Sequence, residues 1–447
     1  MRTTDNNGGK NLDSFDSPNI NDLECIANRT LIDLQKANPD LLVFPHSLGQ
    51  YRDDVEKSHI FSLDDENLTT YNLMGFVGRN SSQLSISSRF AKDDKNDYFL
   101  HYMLQKVFSI NLLKFDQTAS KENIWDFLLY LFPHYLKKAY SQGLYKAYRK
   151  VEYNDANIKG AIDVKRHILR NIPFMGKIAY TTREHSYNND LTQLIRHTIE
   201  YIKTHPFGSG ILTNDSEVRD IVGKFTFVTQ NSYNKNSRQK IISSNLKPFS
   251  HPYFTEYAML QKICMKILRH EKITFGKEKD RVYGLLFDGA WLWEEYLYTI
   301  LKSCDFQHPS NKTSTGAIYL FSEQKRYKRY PDYWKHNFIL DAKYKNPKEP
   351  IDRNDMNQII SYMYVKQAEI GGFIYPSKSI GKLNFKNIGK LNGFGGNVKT
   401  WSISIPQTSE NFKEFIKIMN ENEQELRQSL TTVERAIAQQ STVAKNK

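Results

Sequence analysis

Cysteine is scarce: the 447 residues hold three, Cys25, Cys264 and Cys304, far apart from one another. That spacing excludes a CxxC zinc pair or an iron–sulfur ligand run and points to reduced thiols. Also missing is any run near the roughly 18 to 20 apolar residues needed to cross a bilayer. The polar start, MRTTDNNGGKNLDSFDSPN, has no apolar block of the signal-peptide kind. A cytoplasmic protein with no membrane partner is expected. The phosphate loop GxxxxGK[ST] is absent too, because Gly208 with Gly210, and Gly393 with Gly395 and Gly396, are not followed by Lys-Ser or Lys-Thr. Nucleotide hydrolysis by this chain alone is therefore not expected. Twelve histidines occur without HExxH spacing, which leaves zinc-peptidase chemistry unsupported. There is no internal repeat.

What is present is ample apolar content, 39% hydrophobic and 13% aromatic, above the level of a mostly disordered chain. The length predicts two or three domains, each able to bury a core. Lysine and arginine total 62 against 49 acids, and the net charge of +13 favours a polyanionic partner. Residues 1–20 lack periodicity and read as a disordered arm, and residues 431–447 as a flexible tail. A β-rich domain is expected over 21–115, where Leu41 to Phe44 form an apolar run and Gln83 to Arg89 alternate at period two. Residues 116–272 read as mainly helical, with Asn189 or Asp190 placed to cap a helix. From 273 to 430 the order becomes helix, strands, helix, strand, an α/β arrangement within an α+β multi-domain chain.

The strongest constellation lies in that last region: Tyr330-Pro331-Asp332, then Asp341-Ala342-Lys343. In a strand, Asp341 and Lys343 share one face while Phe338, Leu340, Ala342 and Tyr344 take the other. If His336-Asn337 makes a two-residue turn, Asp332 faces Asp341 at the roughly 4.5 to 5.5 Å between Cβ atoms of cross-strand partners. Two bare carboxylates so placed repel, and a divalent hard cation such as Mg²⁺, with Mn²⁺ as the alternative, removes that cost. Lys343 is then available to orient water or to neutralise charge on a phosphate. Glu294 falls on the apolar side of a helix, where a carboxylate needs a partner. Asp355, Gln358 and Tyr362 share a face of the helix expected over 353–368, and Gln358 is placed to bond a phosphate or a water. Lys325, Arg326, Lys328, Arg329 and Lys345, interleaved with tyrosines, form a stretch suited to phosphate contacts.

Glu294, Pro331-Asp332 and Asp341-Ala342-Lys343 resemble the PD-(D/E)XK nuclease signature. DAKYK with the later Gln358 and Tyr362 resembles the McrC family of restriction subunits in particular. GLYKAYRKVE, KGAIDVKRHI and REHSYNNDLTQLIRHTIEYI are similar to that family's middle region, and GFVGRNSSQLSISSRF with DYFLHYMLQKV looks closest to the McrC-like subunit of LlaJI-type systems. These segments span roughly Gly75 to Pro376. The resemblance implies a C-terminal PD-(D/E)XK domain with a mixed central sheet and Mg²⁺-dependent cleavage of double-stranded DNA. It makes Asp332, Asp341, Lys343, Glu294 and Gln358 catalytic, with Asp332, Asp341 and Ala342 about the metal and Tyr362 among the DNA contacts. It further implies an McrB-type AAA+ GTPase partner, GTP entering only through that partner, contacted by the N-terminal domain near Arg79 and Asn80. The helix reads LWEEY where the family usually has LFE, so Glu295 rivals Glu294. Residues before Leu41 match nothing in the family. The rival readings are a stand-alone repair or recombination nuclease of the same fold and a non-catalytic DNA-binding adaptor that activates a GTPase. Intact Asp332, Asp341 and Lys343 argue against the adaptor.

Overall fold

The computed structural model describes residues 1–15, 20–38, 41–45, 58–80, 82–92, 97–108, 121–205, 208–270, 282–309, 316–323, 327–347, 350–379, 383–393 and 395–445. The chain divides into two units, Met1–Ala119 with Glu278–Lys447, and Ser120–Lys277. The inner unit is Ser120–Lys277, where the sequence reading set a middle region at 116–272. The two flanking regions, read as separate domains from sequence, form one unit.

The reason is a single strand. Val282–Asp288 (VYGLLFD) is buried at every position and runs through the first sheet, antiparallel to Leu73–Arg79 and parallel to Leu41–Phe44. A continuous apolar run of this kind marks a strand covered on both faces. A domain boundary at 273 therefore assigns the interior strand of the N-terminal sheet to the wrong domain. Gly75 lies opposite this strand at φ +126°, where any Cβ would collide with the Leu285 carbonyl. Gly75 and Gly78 thus admit a close strand.

Within the arm expected over 1–20 to be disordered, the described start is instead paired. Arg2–Thr4 runs parallel to Ser82–Ser87, and buried Asp5 accepts from Arg89 Nε at 2.9 Å. Its partners lie about eighty residues onward, so no local pattern announces it. The expected flexible tail is likewise corrected. One helix runs Phe412–Lys445, and within it the buried Glu423 accepts from Tyr102 (2.6 Å) and Tyr296 (3.0 Å).

The second sheet has the order Tyr333–Lys335, Phe338–Ala342, Ile370–Ser377, Asn397–Ser404, Leu383–Lys390. Phe338–Ala342, Ile370–Ser377 and Asn397–Ser404 are mutually parallel, and the outer two strands are antiparallel to their neighbours. The crossover helix Arg353–Lys366 packs Ile359, Tyr362 and Met363 onto this sheet. A Cβ at Gly371 would strike Met363 and Ile359, so glycine is what lets that helix sit close.

In the inner unit, helices including Lys121–Tyr140, Asp190–Thr204, Ser216–Thr229 and Glu256–His270 dominate. Asn189 caps Asp190–Thr204, accepting from the Thr192 amide at 3.0 Å. An element unforeseen from sequence accompanies them: Ala147–Asp155 pairs antiparallel with Ile178–Ser186, and Ala161–Ile162 adds a short third strand. No residue of Ala147–Asp155 is buried, so no apolar alternation marked it.

Candidate active site

The hairpin forms in the register its residues suggest. Lys335 pairs with Phe338 across His336-Asn337 and Tyr333 with Leu340, and Asp332, one residue before the paired strand, has its carboxyl within interaction range of the Asp341 carboxyl. Both acids are buried, at 9% and 2% exposure. Asp332 Oδ2 accepts from the Ala342 amide at 2.8 Å. Burial, then Asp341 and Glu294, holds the Asp332 carboxyl well above the ordinary carboxylate range, against the opposing Ala342 amide and Lys343. Asp341 is also raised, by burial first, with Lys343 opposing and Asp355 adding. The cleft does not tolerate two unshielded negative charges.

Lys343 supplies the shield within the chain. Its Nζ lies 2.6 Å from Asp341 Oδ2, 3.4 Å from Asp355 Oδ1, and donates to Gln358 Oε1 at 2.8 Å. Burial works against its charge, but Asp341, Asp355 and Asp332 together outweigh that and raise its pKa. Gln358 Nε2 donates to the Tyr362 hydroxyl (2.6 Å), which donates to the Tyr330 carbonyl (3.1 Å). Tyr362, expected to meet DNA, is 1% exposed and braces Gln358 from within instead. Lys345 is tied to Asp355 at 2.5 Å, so it too belongs partly to this network. Tyr344 anchors the strand end into the first sheet: its hydroxyl lies 2.8 Å from Ser88 Oγ and the Arg89 guanidinium lies over its ring.

Helix Gly289–Leu301 brings the third acid. Asp288 caps it by accepting from the Ala290 amide at 3.0 Å. Of the two rival glutamates, Glu294 is the one whose charge acts on Asp332, while Glu295 faces His308 with Oε1 3.9 Å from Nε2. His308 carried no signal in the sequence. Its Nδ1 donates to the Asp332 carbonyl at 2.8 Å across 24 residues, and its ring lies against Tyr298 and Tyr333.

Among the described residues, no three His, Cys, Asp or Glu side chains gather as a complete metal cage. The donor set is two buried carboxylates, and Asp341 Oδ2 receives no well-directed hydrogen bond although the lysine ammonium lies beside it. Two hard oxygen donors with a lone pair to spare fit a Mg²⁺ that keeps much of its water shell.

Beyond the cleft, Lys328 is exposed, Arg329 is half-buried, and both lie in a strand paired with Ile318–Tyr319. Exposed Tyr327 meets exposed Phe321 at 5.6 Å, an aromatic pair beside these cations. Lys325 and Arg326 lie outside the described residues. Arg79 and Asn80, expected at a partner, both donate to buried Asp22, at 3.1 and 2.7 Å, joined by Ser82 at 3.0 Å. These bonds hold that corner of the first sheet.

A different surface in the inner unit is open. On helix Val164–Arg170, Arg166 points inward and donates to the Tyr153 and Tyr180 carbonyls at 3.1 and 2.6 Å. The same helix turns Val164, Ile168 and Leu169 outward, Leu169 at 75% exposure. Ile158, Ile162, Ile172, Phe174 and Met175, the last at 81%, are exposed in the same stretch of chain among basic residues. Large exposed apolar patches on soluble proteins mark interaction surfaces. The sequence reading missed it because apolar residues are taken as core by default.

A family model described as McrBC 5-methylcytosine restriction system component matches residues 68–376. Among solved structures, the chain is similar to one in a refined half-complex from the tetradecameric assembly of Thermococcus gammatolerans McrB AAA+ hexamers with bound McrC. The identity is 16% over 96% of this chain and 99% of that chain, with a TM-score of 0.47. A cryo-EM structure of the Thermococcus gammatolerans McrBC complex aligns at 13% identity over 67% and 87%, with a TM-score of 0.30. None of the curated proteins matches the chain. Among the described residues, no helix is long and apolar enough to cross a membrane.

Proposed function

We propose, from the premise that this chain belongs to the McrBC family of 5-methylcytosine restriction system components, that it is the McrC-like subunit that cuts DNA. The observation carrying this reading is the buried Asp332 and Asp341 pair with Lys343 beside it. Burying two acids and an ammonium is costly, and stability alone gives no return for it. The order of helix, acid-bearing hairpin, crossover helix and parallel strand supports a nuclease of the PD-(D/E)XK kind.

Phosphodiester hydrolysis needs an activated water and positive charge on the phosphoryl oxygens as negative charge builds. A hydrated Mg²⁺ on Asp332 and Asp341 would supply a bound water of lowered pKa and Lewis-acid stabilisation. The chain's own groups do the rest. Lys343 presents an ammonium kept charged by its acidic neighbours, Gln358 aims it, and Tyr362 aims Gln358. The Ala342 amide sets the rotamer of Asp332. Lys328 and Arg329, with the Phe321 and Tyr327 pair, offer phosphate and stacking contacts at the surface.

The GTPase of such a system is an McrB-like AAA+ partner, and GTP is used there, since this sequence has no phosphate loop. The exposed apolar face around Leu169 supports a partnered protein over a stand-alone nuclease, and the partner subunit is the occupant that family membership supplies. The test is plasmid cleavage by the purified chain with and without the GTPase, Mg²⁺ and GTP. Cleavage requiring all three supports the reading, and cleavage by the chain with Mg²⁺ alone replaces it with a stand-alone nuclease.

A further inference from the structure

We propose that His308 is a positioning residue for Asp332, an inference that rests on the nuclease reading of this site. Asp332 lies just outside the sheet's backbone ladder. It precedes the three-residue outer strand Tyr333–Lys335, and Pro331 before it has no N–H to give a ladder. On its inner side the strand pairs only with Phe338–Leu340. An acid that must hold a cation against a reacting phosphate within a fraction of an ångström needs a firmer hold.

That hold comes from the segment after helix Gly289–Leu301. The Phe306 amide donates to the Leu301 carbonyl (3.3 Å), tying the segment to the helix end. Gln307 then exchanges two backbone bonds with Trp334, at 2.8 and 3.1 Å, and becomes a one-residue edge to the outer strand. His308 follows, and because a carbonyl only accepts, its Nδ1 must carry the proton in the 2.8 Å bond to the Asp332 oxygen. Tilted ring contacts on two sides hold its plane, with Tyr298 centred 4.9 Å away and Tyr333 at 5.0 Å. The Tyr333 hydroxyl donates to the Glu294 carbonyl at 2.5 Å. The segment thus clamps Asp332 to the helix that carries Glu294, so the two acids keep their spacing as a unit.

The test uses the full chain in complex with its GTPase partner, cutting plasmid with Mg²⁺ and GTP. In Asn the amide nitrogen occupies the place of His Nδ1, and in Gln that of Nε2. His308→Asn should therefore keep turnover within about threefold of wild type. His308→Gln and His308→Ala should lose roughly ten- to a hundredfold in kcat, with DNA affinity unchanged within twofold. Equal loss in all three variants makes the histidine ordinary packing and overturns the proposal. Rescue by Gln but not Asn overturns it in favour of the Glu295 contact. Wild-type turnover in His308→Ala overturns it outright. If His308→Ala fails to fold by thermal melt, the Asn and Gln pair decides. A wild-type complex that does not cut contradicts the nuclease reading itself, a result distinct from any pattern among the variants.

Discussion

The acid-bearing hairpin and the surface around Leu169 break the rule of apolar inside and polar outside in opposite directions. In the first, Asp332, Asp341, Lys343 and Asp355 are packed into a sheet-and-helix layer. In the second, a helix hides an arginine and shows its aliphatic residues. Each inversion costs free energy in the isolated chain, and the function proposed above would offset each from outside it, with a cation and DNA at the hairpin and a protein partner at the helix. Burial at odds with chemistry is therefore a better guide to function here than either residue class alone.

The comparison breaks hardest at the acids. Asp332→Ala should cut plasmid roughly a thousandfold more slowly or worse, the loss of several kcal/mol of metal-centred stabilisation, while still raising the partner's GTP hydrolysis. Next comes Lys343→Ala, expected to lower turnover roughly a hundred- to a thousandfold with little change in DNA affinity measured by anisotropy. Equal losses of binding and turnover would make Lys343 a phosphate anchor instead. On the opposite inversion, Leu169→Glu should weaken assembly with the GTPase by about tenfold while shifting stability by no more than about 0.5 kcal/mol. Full assembly in Leu169→Glu and Met175→Glu together would leave that face without its occupant.

The smallest effect is one of pH. His197 is fully buried, and burial first, then Arg238 and Arg196, pushes its pKa down to about 4. An unfolded histidine titrates near 6.5, so between those values the unfolded chain binds a proton that the folded one does not. Stability is therefore lost as pH falls from about 6.5 towards 4. His197→Gln should flatten that part of a Tm-against-pH curve by a few degrees.

The site hairpin was legible because Asp341 and Lys343 alternate with the apolar set Phe338, Leu340 and Tyr344, which shows the period although the strand is buried on both faces, and a two-residue turn sets the register. Helix Arg353–Lys366 was legible for the same reason. What escaped was long-range. Arg2–Thr4 finds its sheet partner about eighty residues away, and Val282–Asp288 finds one partner strand more than two hundred residues back. His308 reaches Asp332 by a turn of backbone that no spacing encodes. Ala147–Asp155 escaped for the opposite reason, being too exposed to carry a period.

Removing one buried charge without changing its shape tests the account most directly. In the assembled complex, Asp341→Asn should be followed for plasmid cleavage and GTP turnover in the same reaction. The account predicts that cleavage is lost and GTP turnover persists. Cleavage near the wild-type rate in Asp341→Asn would contradict it.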